Sequence, residues 1–255
     1  MKILLYTMSF LTCVYSFSQV QPLASKVHTI DTTSTVSNDN GNTKKIFKGS
    51  GGILSIHEMN IITLKEGKSM SYKPDTLYER FFIINKGTVK VKLNDSAISI
   101  DPGSVVCVLP GDKVRFENTG EKAVQFYEMI YRSLAQPDNE RGKKGGGSFV
   151  VDWNSIAFKP HAKGGVRQYF DRPTNMFNRF DIHVTTLNTG LKSHDPHTHK
   201  NEEIILMMEG NAEMQIGTEH QKANPGNVVF LGSMVLHNLT NVGKTPCLYF
   251  AIQWN

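Results

Sequence analysis

Cysteine is the first shortage. The 255 residues hold three, and setting Cys13 aside with the amino-terminal segment leaves Cys107 and Cys247, each inside an apolar run. A disulfide framework takes more cysteines in a far shorter chain, so both are expected as buried free thiols. Charge of one sign is also scarce: 28 Lys and Arg against 23 Asp and Glu give a net +5, spread along the chain without blocks. A nucleic-acid surface clusters its basic residues among stacking aromatics, and no such cluster occurs. The diffuse excess fits a protein whose partner is a small, anionic molecule. After the opening residues no apolar run approaches the ~20 residues that span a bilayer. No long stretch of helical period occurs either.

The opening itself reads Met1-Lys2, an apolar run from Ile3 to Phe17, then Ser18. One positive charge, a short apolar core and small residues describe a secretory signal peptide over 1–18, cleaved near Ser18. Lipidation at Cys13 fits less well, because Phe10-Leu11-Thr12 lacks the usual small-residue approach. The mature protein is therefore expected to be exported, periplasmic or secreted, with no membrane span.

Residues 19–48 are rich in Thr, Ser, Asn and Lys and are expected to be a mobile leader. From about Ile53 short β-rich runs alternate with Gly, Pro and Asn/Asp turns, the rhythm of an all-β sandwich or barrel. The charged, glycine-rich stretch 136–148 reads as a linker. It separates 49–135 from 149–255, and these halves are copies. Displaced by 123 residues, Ile62–Gly67 falls on Thr185–Gly190, Gly87 on Gly210, Asp101-Pro102-Gly103 on Asn224-Pro225-Gly226, and Asn118 on Asn241. Glycines repeated at one offset mean tight turns repeated at one offset.

The residues that carry chemistry lie in the second copy. In His197-Thr198-His199-Lys200-Asn201-Glu202-Glu203, side chains two apart share a face of an extended strand, so His197 and His199 converge, with Glu203 if the strand continues. Two imidazoles and a carboxylate suit a divalent transition metal, and His237 offers a fourth donor from a neighbouring strand. The run His197-x-His199-x-x-x-Glu203, then six residues and Gly210, resembles the first motif of the cupin family. Gly226, five residues, Gly232-x-x-x-x-His237-x-x-x-Asn241 resembles the second, with Gly232 where proline is common and Met234 where glycine is common. The resemblance covers most of 50–255 and implies two tandem cupin (double-stranded β-helix, or jelly-roll) barrels, a bicupin. It implies one metal (Mn, Fe, Ni or Zn) held by His197, His199, Glu203 and His237.

At the same offset the first copy has Pro74, Thr76, Arg80 and Val114. The expectation is a first barrel that kept its turns and lost the ligands. Arg80 inside it is either an anion anchor or, as is commoner for an internal arginine, half of a structural ion pair. Around the second site, Arg167, Arg172, His194 and Met207 are candidate substrate contacts, the arginines through bidentate bonds to a carboxylate. His194, Tyr169 and Glu213 are candidates for a general acid or base. Known bicupins include oxalate-degrading enzymes, ureidoglycine aminohydrolase and dioxygenases. The resemblance therefore implies a metal-dependent isomerase, lyase or hydrolase acting on a sugar acid or other carboxylated metabolite. Its alternatives are a dioxygenase using Fe or Cu, or a binding module with a structural metal. A homodimer is compatible with the sequence.

Overall fold

A computed structural model describes residues 20–30 and 34–255; the expected signal peptide lies outside them. The first half contributes β1 (Lys26–His28), β2 (Thr35–Asn38), β3 (Gly41–Gly49), β4 (Leu54–Leu64), β5 (Ser69–Tyr72) and β6 (Glu79–Lys86). It continues with β7 (Val89–Leu93), β8 (Ser96–Ile100), β9 (Val105–Val108), β10 (Val114–Glu117) and β11 (Val124–Ser133). A short helix, α1 (Asn139–Lys144), precedes β12 (Phe149–Val151), β13 (Lys159–His161), β14 (Gly164–Arg172), β15 (Phe180–Leu187) and β16 (Glu202–Glu209). The chain closes with β17 (Ala212–Ile216), β18 (Glu219–Ala223), β19 (Val228–Leu231), β20 (His237–Asn241) and β21 (Cys247–Trp254).

These strands make two barrels, each a seven-stranded sheet facing a smaller one. The large sheets run β12-β9-β6-β11-β4-β3-β2 and β1-β19-β16-β21-β15-β14-β13. The small ones run β5-β10-β7-β8 and β18-β17-β20. Alternation of side chains gives each large sheet two apolar faces. One fills its own barrel: Phe82, Ile84 and Phe126 in the first, Ile205, Met207 and Tyr249 in the second. The other faces meet in one shared core, where Phe81 lies 5.3 Å from Phe180 and Tyr131 stacks on Phe177 at 4.7 Å between ring centres.

The 123-residue offset extends beyond the region where the sequence made it obvious. β1 pairs with β19 of the second sheet, and its counterpart β12 pairs with β9 of the first. Each half thus lends its leading strand to the other's edge, which closes an otherwise open row of backbone groups. Two expectations are corrected here. The described residues of the expected leader 19–48 are not mobile: a polar segment orders by joining existing sheets, through β1 and through β3, which pairs with β4 from Gly41 to Gly49. The second barrel does not begin at 149, because β12 belongs to the first sheet. The linker 136–148 is also anchored. Asp138 caps α1 by accepting from the Arg141 N–H, and the Arg141 guanidinium donates to the Thr174 and Asn175 carbonyls.

The repeated turns have matching conformations. Gly87 and Gly210 take φ of 76° and 71°, where only glycine is free of penalty. Asn118 and Asn241 each tie a turn: their Nδ2 groups donate to the Leu64 and Leu187 carbonyls, and their Oδ1 atoms accept from Gly120 and Gly243.

Candidate metal centre

Glu203 sits near the start of β16, buried, its side chain directed into the second barrel. The extended parity does not run unbroken from His197 to Glu203, since residues 200–201 bend before β16. His197 is held instead by an isolated antiparallel bridge to His237, N–H to carbonyl in both directions at 3.2 and 3.0 Å. This bridge fixes the two rings 4.8 Å apart. The His199 carbonyl accepts from the Met234 N–H at 2.8 Å. Met234 takes φ of 63°, the left-handed turn in which glycine is commoner, so the non-glycine residue there carries ~1 kcal/mol of strain.

The three imidazoles offer ligand atoms all within 4.8 Å of one another. Glu203 Oε2 lies 3.4 Å from His199 Nε2 and 3.2 Å from His237 Nε2. Around a cation with bonds of about 2.1 Å, neighbouring ligand atoms stand about 3 Å apart, so this spacing fits. The tautomers decide what those atoms can do. His199 Nδ1 lies 2.9 Å from the Asn201 carbonyl and His237 Nδ1 lies 2.8 Å from that of Val235. A carbonyl only accepts, so both Nδ1 atoms carry hydrogen, and both Nε2 atoms of the neutral rings present lone pairs. These buried Nε2 atoms have no hydrogen-bond partner; they face a carboxylate oxygen, another acceptor. Acceptors in confrontation need a proton or a cation between them, and the donor set of imidazole nitrogen and carboxylate oxygen suits a divalent transition ion.

Electrostatics agree. Burial pushes the Glu203 carboxyl up, but the adjoining His199 and His237 rings outweigh this and hold its pKa at about 2. The same contact with Glu203 raises the His199 pKa. Burial, then the neighbouring rings of His194, His237 and His199, lowers that of His197. The remaining carboxylate oxygen, Oε1, accepts from Gln253 Nε2 at 3.1 Å.

The cluster opens into a cavity of about 380 Å³. Its apolar wall includes Ile205, Met214, Leu239 and Ala251; its polar lining includes His161, Lys163, His183, Thr185, His194, Tyr249 and Gln253. Of the candidate substrate contacts, only His194 lines it, with its ring 4.1 Å from that of His197. Arg167 is stacked between Trp153 at 4.2 Å and Phe158 at 4.9 Å, and Arg172 lies over Phe149 at 3.9 Å. Both arginines spend their planar faces on aromatics outside the cavity. Met207 does point into the barrel but is fully buried in its apolar core. Tyr169 donates to the Gly103 carbonyl in the other half, and Glu213 pairs with His220 on the exposed small sheet. Neither reaches the cavity. The sequence reading missed His183, Thr185 and Tyr249. Parity with the inward-facing Leu187 on β15 marks the first two.

The first barrel is closed at the corresponding place. Arg80 donates to Glu128 at 2.6 Å, Asn60 also binds Glu128, and Arg80 covers the Tyr72 ring. Glu128 stands where the second half has Ala251, and Arg80 where it has Glu203. A buried ion pair takes the place of the ligands, so Arg80 is a structural partner there.

Residues 183–253 match a family model described as Cupin domain. The second barrel is a cupin domain. Similar solved cupin-like folds include the oxalate decarboxylase of Lactobacillus farciminis in its formate complex, with TM-score 0.72 and 11% identity over 91% of this chain and 87% of that one. AerE from Microcystis aeruginosa gives 0.69 at 11% identity, covering 91% and 100%. A putative glyoxylate-induced protein from Pseudomonas aeruginosa gives 0.69 at 14%, covering 88% and 85%. At these identities the likeness is one of fold. No relative with a curated description matches the chain. Among the described residues no helix is long and apolar enough to cross a membrane.

Proposed function

We propose that the second barrel is a metal-dependent enzyme of the cupin type, binding one divalent transition ion through His197, His199, His237 and Glu203. We further propose that it acts on a small carboxylated metabolite, such as a sugar acid. The observation that carries the reading is the pair of buried, partnerless Nε2 atoms facing one carboxylate oxygen beside a cavity. A bound ion would supply Lewis acidity, polarising a carbonyl or hydroxyl or lowering the pKa of water. The chain's own groups do the rest. Gln253 holds Glu203 in place through Oε1. The carbonyls of Asn201 and Val235 fix the tautomers of His199 and His237. Ile205, Leu239 and Ala251 exclude water from one wall, and His194, at the lip, is the titratable group best placed to pass a proton. The cavity is at the small end of ligand sites, in keeping with a metabolite rather than a polymer. The apolar opening from Ile3 to Phe17 supports an exported enzyme.

The test is turnover by metal-loaded full-length protein, purified without chelator, against hydroxy acids, keto acids and uronates, with dissolved oxygen recorded. Metal-dependent conversion lost in His237→Ala is expected. Oxygen uptake stoichiometric with product would move the chemistry to a dioxygenase. Binding of an acid without conversion by the loaded protein would make the barrel a binding module.

A further inference from the structure

At the cavity mouth the two halves differ in side chains that the metal centre does not use. The β13–β14 hairpin ends in His161-Ala162-Lys163, and both His161 and Lys163 line the cavity while remaining exposed. Its counterpart, the β2–β3 hairpin, has Asn38 and Asn40 at the equivalent positions. One turn contact is common to both. The Asn40 N–H donates to Asn38 Oδ1 at 2.9 Å, and the Lys163 N–H donates to His161 Nδ1 at 3.2 Å. Asparagine suffices for the turn. His161 and Lys163 thus exceed what the backbone requires, and they occur in the half with the open cavity. In the other half the space beside Asn38 and Asn40 shrinks to about 30 Å³.

Because His161 Nδ1 accepts from a backbone N–H, the neutral ring carries its hydrogen on Nε2. Lys163 Nζ donates to the Ser193 carbonyl at 3.0 Å, which leaves two of its three hydrogens, and among the described residues no carboxylate pairs with it. The one carboxylate lining the cavity, Glu203, is engaged by Gln253 and the imidazoles. The mouth therefore presents donors and positive charge that no carboxylate among the described residues neutralises.

We propose that His161 and Lys163 form a second anion-recognition point, and that the cavity takes a small acid with two anionic groups, one at the imidazole cluster and one beneath the hairpin. This rests on the metal reading for its first contact only; the second is set by the hairpin.

The experiment compares ligand pairs that differ in one terminal group, succinate with butyrate and glutarate with pentanoate, by calorimetric titration of the metal-loaded full chain. Metal content and unfolding temperature are measured for each protein. Wild type is expected to prefer the dianion by about tenfold, the scale of one charge-assisted hydrogen bond. Lys163→Gln is expected to abolish that preference without changing monoanion affinity or metal content. Lys163→Arg is expected to retain it, and His161→Asn, which keeps the turn, to reduce it. A preference that survives in Lys163→Gln, an equal loss for both members of a pair, or absence of dianion binding overturns the proposal. A protein that holds no metal yet shows the Lys163-dependent preference would uphold the proposal and overturn the metal reading alone.

Discussion

His57 lies on β4 in the core shared by the two barrels, fully buried, with neither ring nitrogen hydrogen-bonded. Phe47, Trp254 and Phe230 surround it at 5.1, 5.1 and 5.7 Å. Burial, with a smaller contribution from His28, lowers its pKa to about 3. At the repeat-equivalent position stands Phe180, packed on Phe81, Phe177 and Phe170. The core thus accepts a phenyl ring at this depth, and His57→Phe removes two unsatisfied polar atoms. At pH 7.5 the variant is expected to be more stable by about 1–2 kcal/mol. Linkage adds a second signature. The depressed folded pKa means that the stability is intact above the unfolded value of about 6.5. It is then lost as pH falls from there toward 3, because only the unfolded chain takes up the proton. At about 1.4 kcal/mol per pH unit, wild type loses about 2 kcal/mol through His57 between pH 7.5 and 5.0. His28, whose pKa burial lowers to about 4, contributes to both proteins and cancels. Urea unfolding at the two pH values measures the difference. Parallel losses in wild type and variant, or a variant less stable at pH 7.5, would refute the reasoning.

Arg80→Met alone strands the buried Glu128 carboxylate and is expected to destabilise the chain by about 3–5 kcal/mol, whereas Arg80→Met with Glu128→Leu should restore most of it; chemical denaturation of the single and double variants decides this. Gln253→Leu frees Glu203 Oε1 and should weaken metal binding about 10–100-fold, read by competition with a chelating dye. Glu203 holds the His199 pKa above its ordinary value, so an incoming cation must displace that proton. Metal affinity should therefore rise with pH until the raised pKa is passed, with proton release visible by titration in buffers of different ionisation enthalpy.

The repeat was legible because glycine and asparagine turns are local: Gly87 with Gly210 and Asn118 with Asn241 mark one offset without any knowledge of pairing. The clustering of His197, His199 and His237, with Glu203 beside two of them, was legible from residue type and spacing, although the alternation invoked for it breaks at residues 200–201. β1 to β3 were not, since a strand such as Lys26–His28 gains its order from the distant edge of β19, and composition alone reports only its polarity. Gly41, matching Gly164, was the overlooked sign that the repeat begins before residue 49. Arg167 and Arg172 misled because guanidinium groups stack on aromatics as readily as they bind carboxylates. His161 and Lys163 precede the histidine run by more than thirty residues, and only sheet closure brings them to the same cavity.

The most direct measurement is elemental analysis of the full chain after reconstitution with Mn, Fe, Ni or Zn and removal of loosely held ions. One equivalent per chain is expected, retained in Arg80→Met with Glu128→Leu and lost in His197→Ala with His237→Ala. Full metal content in the second variant, or none in wild type with any of the four ions, would contradict the account.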